Sequence, residues 1–292
     1  MRLRSQYFSS LLGLKNLQIP KTYLFKMNYS EDTDFQEKKN VLEQMYTRFE
    51  HYGMSRNFSK TNTLEIGGAG GILSGLLSST VQRVTVSDVI DVQTKYGGEF
   101  PKLLKDKFSR NSLTLDLSKI EFHVASAMDL PYKDGNFDLV VSLNAFEHIP
   151  DPLLALREAI RVVKKGGLVY LIFDPIWTAD SGSHFINFVT EPWRHLLVST
   201  DQFVLEMEKN GASQDQMNGF RYSLNRKPAQ TYYLEFVRTL ELLEIRKFKM
   251  EGWQGCINEE LRDHPNRYQA SKILKCAPED LLFRGFCFCI EK

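Results

Sequence analysis

The residues best placed to do chemistry together are a run of glycines and the acids around it. Thr63-Leu64-Glu65-Ile66 is β-prone and breaks into Gly67-Gly68-Ala69-Gly70-Gly71. Ile72-Leu73-Ser74 then opens a helix-compatible segment. Strand, glycine turn and helix are how α/β proteins cradle a nucleotide-like ligand. Glycines let the chain turn sharply and let a ligand press on the backbone. The free N–H groups of the following helix suit an anionic group such as a carboxylate. Asp88 closes the next strand, Val84-Thr85-Val86, where a carboxylate can accept both hydroxyls of a ribose. Asp91 stands close enough to compete for that role. A glycine run alone also fits a plain tight turn or a dinucleotide enzyme.

The elements that must position these residues alternate. Val41, Leu42, Met45, Tyr46, Phe49 and Tyr52 recur at helical spacing, so Phe35–Tyr52 reads as an amphipathic helix lying on the domain or over its ligand site. After the second strand come a Gly97-Gly98 loop and a short basic helix, then a third strand at Ile120–Val124 and a turn, Ala125–Pro131. Phe137–Ser142 is apolar enough for a central strand of a parallel sheet. Asp151-Pro152 caps a helix that Lys164-Lys165-Gly166-Gly167 should close, and Leu168–Phe173 is a fifth strand. Strand and helix in alternation give an α/β fold, a doubly wound Rossmann-like sheet. The rhythm breaks at residues 174–227 and 254–280, which read as helical or irregular insertions. A helix over Pro228–Leu243, a strand near Ile245–Trp253 and a terminal strand at Leu281–Ile290 complete the chain. The expected organisation is an N-terminal segment and cap helix over residues 1–60 and one domain over residues 61–292.

Bulk properties remove several function classes. The chain has 292 residues and a formal net charge of +1, so no strong field draws it to nucleic acid or an anionic membrane. No apolar run approaches the roughly 18 residues needed to span a bilayer. The four cysteines, Cys256, Cys276, Cys287 and Cys289, match no common zinc spacing. Cys287 and Cys289 share one face of a strand and read as core filling. Residues 1–30 are basic and free of acids; they read as a leading segment packed on the domain, with an organelle transit peptide as the alternative. The expected location is cytoplasmic.

Phe137-Asp138-Leu139-Val140-Val141-Ser142-Leu143-Asn144-Ala145-Phe146-Glu147-His148-Ile149, then Asp151-Pro152, Arg157-Glu158 and Arg161 to Gly167, resembles the class I S-adenosylmethionine-dependent methyltransferases. The resemblance covers about residues 60–175 and implies seven strands with the last antiparallel. It implies S-adenosylmethionine as cofactor, with Glu65 at its methionine end and Gly67, Gly68, Ala69 and Gly71 lining that end by backbone. Asp88 matches the ribose acid, Ala127 and Met128 the adenine-flanking turn, and Leu143 and Asn144 the positions beside the sulfonium. Ala69 stands where the family usually has glycine. Ser126 stands where it often has the aspartate that contacts the adenine amino group. Some relatives hold a metal through Glu-x-x-Glu-His; Asn144 replaces the first glutamate, and no metal is expected. The insertion pattern Trp177, Ser183-His184, Pro192-Trp193, His195-Leu196-Leu197 has a looser similarity to bacterial methyltransferases of sugar or surface-polysaccharide assembly.

That family transfers a methyl group in line from the sulfonium, and the protein supplies orientation and desolvation. A hydroxyl acceptor needs a base, for which His148, His184 and His195 are candidates. Each could equally be a hydrogen-bonded histidine with no chemistry. Trp177, Trp193, Phe185 and Phe188 could wall an acceptor pocket, but fit better as the insertion's own small core. The favoured reading is O-methylation of a small molecule or glycan, with the acceptor covered by the N-terminal segment and both insertions. An RNA or protein methyltransferase and a non-catalytic binding protein are the alternatives, and a dinucleotide oxidoreductase is more distant.

Overall fold

The computed structural model describes residues 31–254 and 259–292. The expectations for residues 1–30 and for Cys256 lie outside them. Helix α1 (Glu31–His51) leads into β1 (Asn62–Ile66), α2 (Ile72–Leu77), β2 (Arg83–Asp88), α3 (Val92–Lys95), α4 (Phe100–Arg110), β3 (Ile120–Val124), β4 (Phe137–Leu143), α5 (Pro152–Val162) and β5 (Val163–Phe173). The insertion after β5 carries α6 (Arg194–Leu197), α7 (Thr200–Lys209) and α8 (Gln214–Tyr222). A π-helical turn (Thr231–Phe236), α9 (Val237–Leu242), β6 (Lys247–Gln254), α10 (Glu259–Arg262), α11 (Pro265–Leu274) and β7 (Phe283–Glu291) follow.

The strands form one seven-stranded sheet in the order β3-β2-β1-β4-β5-β7-β6. β1 to β5 run parallel, and β7 lies antiparallel between β5 and β6. The doubly wound, Rossmann-like architecture expected from the sequence is therefore present. Apolar side chains cover both faces, as parallel strands buried on both sides require. On one face α1, α2 and α4 pack through Phe35, Phe49, Leu77, Leu104 and Phe108. On the other, α5 and the stretch from Ala229 to Leu240 pack through Leu156, Ile160, Tyr232 and Phe236.

The order reverses direction between β1 and β4, the switch point where open α/β sheets leave a crevice beyond their strand ends. Ile66 pairs with Ser142, and Ser142 with Leu171, so three strand ends stand abreast. Ser142 Oγ donates to Ile66 O at 2.9 Å, and Asn144 N to Ile172 O at 2.8 Å. The segments leaving these ends begin at Gly67, Asn144 and Asp174, so they converge.

Two boundaries differ from expectation. Lys164 to Gly167 belongs to β5, not to the close of α5, which ends at Val162. Lys164 Nζ binds Asp138 Oδ1 at 2.6 Å and Gly166 has φ 76°, so this basic stretch bends onto β4. The helix expected over Pro228–Leu243 begins with the π-helical turn.

Candidate active site

Where the strand ends converge, the chain leaves a cleft of about 1240 Å³. It exceeds the roughly 300–1,000 Å³ of a single small-molecule pocket and leaves room for two molecules side by side. One end is built from Glu65, Gly67, Gly68, Gly70, Gly71, Leu143 and Asn144; the other from Glu147, His148, Asp174, Asp180, Ser181, His184 and Arg284. Glu37 and Lys38 of α1 and Ser213, Asp215 and Gln216 at α8 also reach it.

The glycine loop is shaped by close approach. Gly67 has φ 79°, a region that costs a side chain, and a Cβ there would collide with Ala145. A Cβ on Gly68 would stand 2.5 Å from the Glu65 carboxyl carbon and 2.7 Å from Val86 Cγ1. The loop therefore lies flat against the Glu65 carboxyl. That carboxyl is 4% exposed and accepts a hydrogen bond from Ser74 Oγ. Burial pushes its pKa up to about 7, against the Ser74 hydrogen bond and the Lys38 charge, which pull it down.

Asp88 accepts from Ala69 N at 3.1 Å and from Ile90 N at 2.9 Å. These bonds pin the glycine loop to the end of β2. They leave each oxygen a second lone pair. Burial raises the Asp88 pKa, with the backbone donors opposing it. Asp91 is committed elsewhere: it caps α3 through Gln93 N and Thr94 N. Asp88 is thus the acid turned toward the loop.

The turn after β3 is less engaged. Ser126 Oγ accepts from Met128 N at 3.2 Å, closing its own turn, and Ala127 packs against the core beneath α5. Ser126, Ala127 and Met128 are not among the residues that line the cleft, and neither are Ala69 and Asp88.

The three candidate histidines separate. His148 Nδ1 lies 2.8 Å from Ser223 O, and His184 Nε2 lies 2.8 Å from Pro175 O. A carbonyl only accepts, so each of these nitrogens carries the proton and the other ring nitrogen keeps its lone pair. The two rings stand 5.2 Å apart, edge to face, and both line the cleft. Burial lowers both pKa values, that of His184 to about 3, so both are neutral bases near pH 7. His195 does not join them. It is buried with Nε2 2.8 Å from Trp177 O, its ring edge-on to Trp177, and it does not line the cleft. The structure therefore does not bring His195 to the cleft with the other two; its contacts lie within the insertion.

The aromatic residues follow the same logic. Phe185, Phe203, Phe220 and their neighbours form one apolar cluster, with Trp177 and Phe188 packed on it, and Trp193 forms another with Leu196, Ala270 and Leu281. None of Trp177, Trp193, Phe185 and Phe188 lines the cleft. Among the described residues, the 254–280 segment does not line it either. It packs instead under Trp193.

In the sequence Glu147 stands only as one residue of the Phe137–Ile149 stretch. The structure places it in the cleft beside His148, held by Asn225 N bonded to Glu147 O and Asn225 Nδ2 bonded to Phe146 O and Ile149 O. Its neighbour in the motif, Glu158, binds Leu130 N and Arg161, and Arg161 binds the carbonyls of Leu130 and Tyr132. That part of the motif staples the turn before β4 and does not line the cleft.

Residues 64–171 match the family described as a methyltransferase domain. The chain carries a class I S-adenosylmethionine-dependent methyltransferase domain. It is 30% identical over 105 residues to the chloroplastic tocopherol O-methyltransferase of Arabidopsis thaliana, covering 30% of each chain. It is 28% identical over 165 residues to the 2-methyl-6-phytyl-1,4-hydroquinone methyltransferase of Synechocystis, covering 48% of this chain and 51% of that one. The matches thus span at most about half of these relatives. Among solved structures, an N-methyltransferase of Haemonchus contortus in complex with phosphomonomethylethanolamine and S-adenosylhomocysteine aligns with TM-score 0.49 at 14% identity, over 93% of this chain and 60% of that one.

The methyltransferase domain fits the family's cofactor, S-adenosylmethionine. The Glu65 carboxyl, buried under the glycine loop, would suit an amino group, and Asp88, which pins that loop, keeps lone pairs that would suit a ribose. Gly70 has open space where a Cβ would stand, which leaves backbone to press against. Among the described residues no cluster of metal-ligating side chains is present, and no helix is long and apolar enough to cross a membrane.

Proposed function

We propose that this protein methylates a hydroxyl group of a small molecule or glycan, with His148 or His184 taking the hydroxyl proton. The observation that carries the reading is the pair of uncharged imidazoles facing one cleft with the glycine loop. When bound, S-adenosylmethionine supplies an electrophilic methyl group. Glu65, the glycine backbone and Asp88 hold it, and Leu143 and Asn144 flank the half of the cleft where the acceptor enters. Asp174, Asp180, Ser181, His184, Ser213 and Gln216 come from the insertion of residues 174–227 and wall that half, which supports a role as acceptor lid. Ser223 and Asn225, at the end of the insertion, bond to His148 and to the Phe146–Ile149 turn, so the lid and the base are set by the same contacts.

The test is turnover with labelled S-adenosylmethionine against hydroxylated sugars, phenols and lipids, followed on His148→Gln and His184→Gln. Loss of the catalytic base should lower the rate by about 100-fold or more with S-adenosylhomocysteine affinity intact. Near-full rates in both variants would reject the histidine base. Methyl transfer to amines alone would reject the hydroxyl acceptor.

A further inference from the structure

Glu147 is the most poorly satisfied charged side chain in the cleft. It is 3% exposed, and neither carboxyl oxygen has a hydrogen-bond partner from another residue. Buried carboxyl groups are normally bonded or paired, because stripping water from them is costly. Its near neighbour is His148, with Glu147 Oε1 3.9 Å from His148 Nε2. Nε2 is the nitrogen that the Ser223 contact leaves without a proton. The imidazole keeps 35% of its side-chain surface open, while the carboxyl beside it is covered. The histidine is thus the more open of two neighbouring groups that line the cleft.

We propose that Glu147 is the proton sink behind His148, so that the two residues act as one base. This rests on the hydroxyl-methylation reading and deepens it. The acceptor O–H gives its proton to His148 Nε2 as the oxygen gains the methyl group. Nε2 passes that proton to the Glu147 carboxylate, and the imidazole returns to neutral. The acid then loses the proton to solvent through the same histidine once product leaves. Bonds and charge balance: one proton leaves the acceptor and one carboxylate becomes a carboxylic acid. A lone buried imidazolium would cost the enzyme at that step, and the sink avoids it.

The surroundings suit such a sink. Burial drives the Glu147 pKa well above the usual carboxylate range, Asp174 adds to the rise and Lys38 opposes it. Asp180, His184 and Arg284 are the other titratable groups lining this end of the cleft, and the Tyr232 hydroxyl feels the Glu147 charge. Arg284 is committed to Asp174 at 2.8 Å and to Ser181 Oγ at 2.8 Å. With the carboxyl pKa raised and that of His148 lowered, passing a proton from the imidazole to an ionised Glu147 runs downhill.

The experiment is histidine proton NMR on the whole protein saturated with S-adenosylhomocysteine, from pH 5 to 9, with His148→Gln to assign the signal. The His148 resonance should show a step above the ordinary carboxylate range that reports Glu147. Glu147→Gln should remove it, and Glu147→Asp should keep it. The Glu147→Gln variant should also gain thermal stability over wild type as pH rises. A raised folded pKa makes the native glutamate lose stability on passing upward through it, and glutamine carries no such loss. An unchanged His148 curve in Glu147→Gln overturns the pairing. A Glu147→Gln protein less stable than wild type at every pH, or one that loses S-adenosylhomocysteine, makes Glu147 a structural prop and also overturns it. Failure of the wild type to bind S-adenosylhomocysteine strikes the methyltransferase reading instead, a separate outcome.

Discussion

Glu65 shows how one carboxyl can be both a cost and a ligand. It sits under the glycine loop at 4% exposure, with Ser74 as its hydrogen-bonded partner and a pKa pushed up to about 7. A ligand amino group would hold it ionised. Cofactor binding must then remove the proton at acid pH, so affinity should rise with pH and level off above about pH 7. Between pH 7.5 and pH 6 the affinity for S-adenosylhomocysteine should fall about tenfold, one pKa unit or roughly 1.4 kcal/mol. Glu65→Gln should bind more weakly and lose the dependence. Calorimetry across that range checks it; a flat wild-type profile would remove Glu65 from the amino-group site. At this scale the sequence was uneven. Glu65 and Asp88 were legible because a strand and a glycine turn fix where their side chains emerge. The Asp88 and Asp91 ambiguity needed the structure, because capping of a four-residue helix decides it. The surroundings of His195 and Glu147 were not legible, since no spacing in the sequence reports that one ring packs against Trp177 and Phe203 and that the carboxyl of the other has no side-chain partner.

At the scale of elements, the sheet was readable and the insertion was not. β1 to β3 are short β-prone stretches between turn signals, and β4 and the Leu168–Phe173 part of β5 are apolar runs, which the sequence shows directly. The 174–227 segment folds as short, largely polar helices whose order comes from caps and a small shared core. Ser199 accepts from Gln202 N, and Ser213 with Gln216 forms a reciprocal capping box. Those Ser-x-x-Gln pairs were the overlooked signal. Phe203 is 1% exposed and stacks on Phe220 with centroids 4.4 Å apart. Phe203→Ala should cost about 3–5 kcal/mol of stability. It should leave S-adenosylhomocysteine affinity within about twofold, a difference of under half a kcal/mol, because the cofactor half is built from β1, β2 and β4. Urea unfolding and calorimetry on the same sample separate the two. Unchanged stability with lost ligand affinity would mean the insertion core supports the wrong half of the cleft.

Across the whole molecule, the cleft lies at the reversal of strand order, with the glycine loop on one side and the insertion on the other. The near-neutral net charge leaves recognition to this local site rather than to a long-range field. The central claim is that the cleft takes the methyltransferase cofactor and not a dinucleotide. Calorimetric titration of the whole protein with S-adenosylhomocysteine, and in parallel with NAD, tests it most directly. The account predicts one S-adenosylhomocysteine site and no NAD binding. Asp88→Ala should weaken that site by more than tenfold in a protein that stays folded, because charge-assisted hydrogen bonds to a ribose are worth about 1.5–3 kcal/mol each. Tight NAD binding with no S-adenosylhomocysteine binding would contradict it.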